Sequence, residues 1–133
     1  MELSKSTIFI IKGKTIDSIA DFYSEINRLF MQNESWQLAQ SLDAFDDMLY
    51  GSYGAIQNFD TVILVWENHL HSKQTLGFNT TLNWYASKLD NPNYNQKFIS
   101  KEIQALKDGV GKTYYELLLE IIRSHKNINL LLY

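Results

Sequence analysis

Thr61-Val62-Ile63-Leu64-Val65-Trp66 is a near-unbroken apolar run rich in β-branched residues. It is too short for a buried helix and lacks polar alternation, so it predicts a strand covered on both faces, in the middle of a parallel sheet. Two further strands flank it. Thr7–Lys12 reads TIFIIK and stops at Gly13, where a turn is expected, and Ile128–Tyr133 closes the chain. Parallel neighbours need long crossovers, usually helical ones, and the intervening sequence supplies them.

From Thr15–Ile19 a helix is expected to open, with Ile16, Ile19, Tyr23, Ile26 and Phe30 on one face and Asp17, Asp21, Glu25 and Arg28 on the other. Gln32–Gln40, around Trp36, has no clean period and reads as a loop. It leads to a shorter helix, Leu42–Leu49, with Ser41 as the expected N-cap, a task Asp43 could share. Leu42, Phe45, Met48 and Leu49 form its apolar face and leave Asp43, Asp46 and Asp47 pointing elsewhere. Gly51 and Gly54 punctuate a turn, and Tyr114, Leu117, Leu118, Ile121 and Ile122 mark a strongly apolar last helix. Phe78–Gly111 is less legible: Pro92 sits in a turn segment, LDNPNYN, and Phe98, Ile99, Ile103 and Leu106 suggest one short helix. The expected fold is α/β, a three-stranded parallel sheet flanked by helices, in a single domain spanning residues 1–133.

The chain has 133 residues, of which 45% are hydrophobic and 14% aromatic, enough apolar material for one core. Its apolar runs are too short to cross a bilayer and no leader pattern opens it, so a cytoplasmic home is expected and a membrane partner is not. Without cysteine there is no disulfide framework, thiolate metal site or cysteine nucleophile. The net charge of -3 argues against nonspecific nucleic-acid binding. Position matters more than the total. No Lys or Arg lies between Arg28 and Lys73, whereas Glu34, Asp43, Asp46, Asp47, Asp60 and Glu67 all do. Such segregation predicts a negative patch for a cationic partner, if the interval folds to one side.

Other motifs are weaker. Gly111-Lys112-Thr113 lacks the leading glycine and preceding strand of a phosphate loop. His69 and His71 have a chelating spacing but only Glu67 nearby, so surface histidines are expected. His125 is placed to favour the C-terminal dipole of the last helix. No serine sits at a strand-to-helix elbow. Asp43 with Asp47 or Glu120 could in principle serve as acid and base in glycoside hydrolysis, but no saccharide cleft is evident. Asp43 and Asp47 are four apart, where like charges destabilise a helix by a few tenths of a kcal/mol, so another role is expected to maintain them. Binding to a protein is expected, without catalysis, metal or cofactor.

Three blocks resemble barstar, the family of intracellular ribonuclease inhibitors: IKGKTIDSIADFYSEIN (Ile11–Asn27), SLDAFDDMLYG (Ser41–Gly51) and VILVWENHLHSKQ (Val62–Gln74). ELLLEIIRSHKNINLLLY is similar to the family's last helix and strand, which makes residues 78–111 an insertion before that helix. The resemblance implies an acidic helix that plugs a ribonuclease active site, its carboxylates meeting the cations that hold RNA phosphate. Asp43 and Asp47 match the family's two acidic helix positions, Glu120 a further interface glutamate, and Leu42, Ala44, Leu49 and Gly51 keep its pattern. Two departures lie in the binding surface: the family's Tyr-Tyr-Gly-x-Asn lead-in becomes Trp36–Ser41, and its helix tryptophan becomes Asp46. The implied partner is a ribonuclease or related basic nuclease toxin, met by Asp43, Asp46, Asp47 and Glu120, with Trp36, Ser41 and Gly51 shaping the rim. A domain of this fold that binds a different basic protein, or a small hydrolytic enzyme, are the alternatives.

Overall fold

The computed structural model describes residues 5–133. Three strands, β1 (Ser6–Lys12), β2 (Thr61–Glu67) and β3 (Ile128–Leu132), form a parallel sheet in the order β1-β2-β3, flanked by helices. The α/β architecture and the central place of β2 follow the sequence reading.

The expected coverage of both sheet faces does not. Register aligns Ile8 with Ile63 and Asn129, and Ile10 with Val65 and Leu131. This face is open, with Ile8 59%, Ile10 41% and Leu131 43% exposed. On the other face Ile11, Val62, Leu64, Trp66 and Ile128 are buried in the main core. An apolar run without polar alternation cannot tell a doubly covered strand from one whose outer face is merely apolar, because β-branched residues suit either pleated surface.

Helix α1 (Ile19–Phe30) starts later than its period suggests. Ser18 is the cap, its Oγ accepting from the Asp21 N–H at 3.1 Å, while Ile16 is buried in extended backbone before the helix. Glu25, expected on the polar face, is buried instead. It accepts from the Arg28 guanidinium at 2.6 and 2.8 Å and from the Lys12 N–H at 2.7 Å, tying α1 to the end of β1. Gly13 begins a 3-10 turn (Gly13–Thr15) beneath the end of β2. A Cβ there would meet the Glu67 carbonyl oxygen at 2.2 Å, so only glycine lets the chain pass.

Helix α2 (Leu42–Leu49) precedes β2, and α3 (His69–Thr75), which periodicity does not reveal, follows it. The segment 78–111 holds two helices, α4 (Phe78–Ala86) and α5 (Gln96–Lys107), of which only the second is signalled by its apolar spacing. Tyr85, Ile99 and Leu106 make a small second core between them, and Trp84 packs against both cores. The Thr81 hydroxyl locks this pair to α6 (Tyr114–Arg123) by accepting from the Tyr114 N–H at 2.7 Å. Thr113 and Glu116 form a capping box at the start of α6.

Candidate functional site

Helix α2 is held by three fully buried side chains, Phe45, Met48 and Leu49, and Phe45 meets Phe22 of α1 edge-on at 5.3 Å. Each such burial contributes roughly 1.5 to 3 kcal/mol, which supports a helix of eight residues that would not persist alone. Ser41 is its cap, the Oγ accepting from the Ala44 N–H at 3.3 Å, and Asp43 takes no part. With the apolar face turned inward, Asp43 and Asp47 project outward and are exposed. Neither belongs to an ion pair among the described residues.

Each of the two carboxylates has its own setting. Asp47 accepts from the Tyr53 hydroxyl at 3.1 Å; burial, then the Asp47 hydrogen bond and charge, push that hydroxyl up to about 12. Trp36 is 45% exposed and leans on Tyr53 at 4.8 Å between ring centroids. Its loop is fixed because Asn27 of α1 accepts from the Leu38 N–H at 2.8 Å and Leu38 is buried. Trp36 thus reaches Asp47 through Tyr53, an arrangement that spacing alone does not disclose. Asp43 borders a groove of about 500 Å³ with Ser41 on one wall and Trp84 and Lys88 on the other.

Three expected site residues behave differently. Asp46 does not simply add surface charge: its Oδ1 accepts from Nε2 of His125 at 2.7 Å, and the carboxylate is 39% exposed while the imidazole is 3% exposed. His125 therefore ties the end of α6 to α2, with Tyr50 edge-on to it at 4.5 Å, where a dipole partner was expected. Glu120 is exposed but paired with Lys112 of the same chain, and the concavity around it includes no α2 residue. Gly51 has φ +87°, a left-handed conformation, so the turn that ends α2 by itself explains a glycine there.

The broad negative patch also contracts. Glu34 accepts from the Gly54 N–H at 3.0 Å and Asp60 from the Lys5 N–H at 2.9 Å, so both serve local backbone. On α2, Asp43 and Asp47 are exposed and outside any ion pair among the described residues, with Asp46 half engaged between them; Glu67, at the end of β2, is exposed as well. His69 shares a hydrogen bond with the Tyr115 hydroxyl at 2.8 Å and His71 with Asp17 at 2.7 Å. Among the described residues no group of three potential ligands could hold a metal, and no serine is hydrogen-bonded to a histidine. Among the described residues no helix is long and apolar enough to cross a membrane.

No family model matches the chain, and no curated protein matches it. The resemblance to barstar accordingly rests on the residues quoted above. To these the geometry adds two carboxylates one helical turn apart that form no ion pair among the described residues, on a helix whose third carboxylate, Asp46, is tied to His125.

Proposed function

We propose that the chain is an intracellular protein inhibitor of barstar type, which blocks a ribonuclease or a related basic nuclease toxin by seating α2 in its active site. One observation carries this reading: Asp43 and Asp47 stand exposed on α2, and neither forms an ion pair with any cation among the described residues. Two like charges at this spacing cost a few tenths of a kcal/mol in the free protein, and a cationic pocket that binds phosphate would reverse that sign. Charge-assisted hydrogen bonds from arginine or lysine to carboxylate are the interactions such a pocket already makes with RNA.

The test is inhibition of RNA cleavage by a panel of small basic ribonucleases. Truncating one member of a buried charge pair costs about 2 to 5 kcal/mol, a range to which complexes of the barstar family themselves contributed. Asp47→Ala should therefore weaken inhibition by roughly 30-fold or more. Asp60→Ala, at the foot of the sheet, should change it little. Equal small effects of the two substitutions would sink the proposal.

A second reading, a barstar-like domain for a different basic protein, is favoured by one feature. Asp46, which replaces the family's helix tryptophan, is drawn towards His125 and gives α2 a different face. Binding of a basic protein without inhibition of any nuclease would select it.

A further inference from the structure

The loop between α4 and α5 faces the start of α2 and holds an unusual cation. Lys88 Nζ lies 3.7 Å from the centroid of the Trp84 ring and 5.0 Å from that of Tyr94, both within the roughly 6 Å over which a ring face attracts a cation. Among the described residues this ammonium makes no ion pair and donates no hydrogen bond. Burial lowers its pKa, an effect that the nearby Asp43 charge opposes. It is thus held by two ring faces and by the field of a carboxylate to which it is not bonded, contacts that another cation could take over.

The walls of this cage are fixed independently of Lys88. Trp84 is wedged edge-on against Tyr114 at 4.8 Å and lies tilted against Tyr85 at 4.7 Å. Gln96 staples the loop: its Oε1 accepts from the Asp90 N–H at 2.8 Å, and its Nε2 donates to the carbonyls of Lys88 at 3.1 Å and Asn91 at 2.8 Å. Asp43 closes the opposite wall of the groove.

We propose that Trp84, Tyr94 and Asp43 form a subsite for an arginine of the basic partner, occupied in the free protein by the chain's own Lys88. The proposal rests on the reading of α2 as the partner-binding face and extends that face onto segment 78–111. A planar guanidinium suits it better than the resident ammonium, because it can stack on Trp84 while its edge donates to the Asp43 carboxylate. Lys88 would then swing into solvent and leave the ring faces and Asp43 to the partner cation.

The test uses N-acetyl-arginine amide as probe and N-acetyl-citrulline amide as its uncharged control, added to the ¹⁵N-labelled full chain. The three tryptophans give three indole N–H signals, and Trp84→Phe assigns the one in the cage. In Lys88→Met the Trp84 signal should shift saturably with the arginine probe only, at a midpoint roughly two- to fivefold below that of the unsubstituted protein, the equivalent of one exposed cation–π contact. Adding Asp43→Asn or the exposed Tyr94→Ala should reverse that gain. Lys97→Met, which removes a charge elsewhere on the segment, should not reproduce it. An immobile Trp84 signal in Lys88→Met, an unchanged midpoint, or an equal gain from Lys97→Met would overturn the proposal. No nuclease takes part in this titration, so its outcome is separate from whether α2 inhibits one.

Discussion

His125→Ala tests the link that fixes the acidic helix. The substitution removes a buried imidazole, its 2.7 Å hydrogen bond to Asp46 and its edge contact with Tyr50 at 4.5 Å. A hydrogen bond to a charged group contributes about 1.5 to 3 kcal/mol, and the lower end applies because the Asp46 carboxylate is 39% exposed and can be rehydrated. The aromatic contact adds about 0.5 to 1.5 kcal/mol. The expected loss is therefore about 2 to 3 kcal/mol, or roughly 6 to 12 °C in melting temperature for a domain of this size. Urea denaturation of His125→Ala, Asp46→Ala and the double variant isolates the pair, with an expected coupling of about 1 kcal/mol or more. A coupling below about 0.3 kcal/mol would refute the view that this hydrogen bond fastens α2 to α6.

Two further outcomes follow from burial. Because only one sheet face is covered, Ile11→Ala should cost about 2 to 5 kcal/mol while Ile10→Thr, one residue away, should stay within about 1 kcal/mol; comparable losses in urea would mean that both faces are packed. Tyr23 and Tyr114 share a buried 2.7 Å hydrogen bond; burial pushes the Tyr114 hydroxyl up to about 12 and raises that of Tyr23 as well. Both must stay protonated in the fold. The unfolded chain releases those protons near pH 10, so the stability they contribute is complete below about pH 10 and is lost as the pH rises towards about 12. Phenolate absorbance should show a subset of the eight tyrosines ionising only with unfolding, and titration of all eight together near pH 10 would contradict this.

The sheet and four of its helices were legible because their sequences carry one dominant signal each: the apolar run of β2, the cap and apolar spacing of α2, and the apolar stripes of α1, α5 and α6. Helices α3 and α4 were not. The residues of α3, HLHSKQT, offer a single large apolar side chain, and α4 mixes Asn and Thr with aromatics, so neither repeats every three to four positions. Spacing on one helix identified Asp43 and Asp47 as neighbours, since that relation is local. The partners of Asp46 and Asp47, by contrast, come from His125 and Tyr53, which reach α2 through tertiary packing. Glu120 shows the same limit: its pairing with Lys112 joins residues eight apart across a cap, which helical periodicity does not foresee.

The mode of inhibition tests the central claim most directly. If Asp43 and Asp47 substitute for RNA phosphate, initial rates of RNA cleavage at a fixed concentration of the chain should show a raised KM with kcat unchanged. Added salt should weaken the effect, because the contacts are between opposite charges. A lowered kcat at constant KM would place the chain away from the phosphate site and contradict the account.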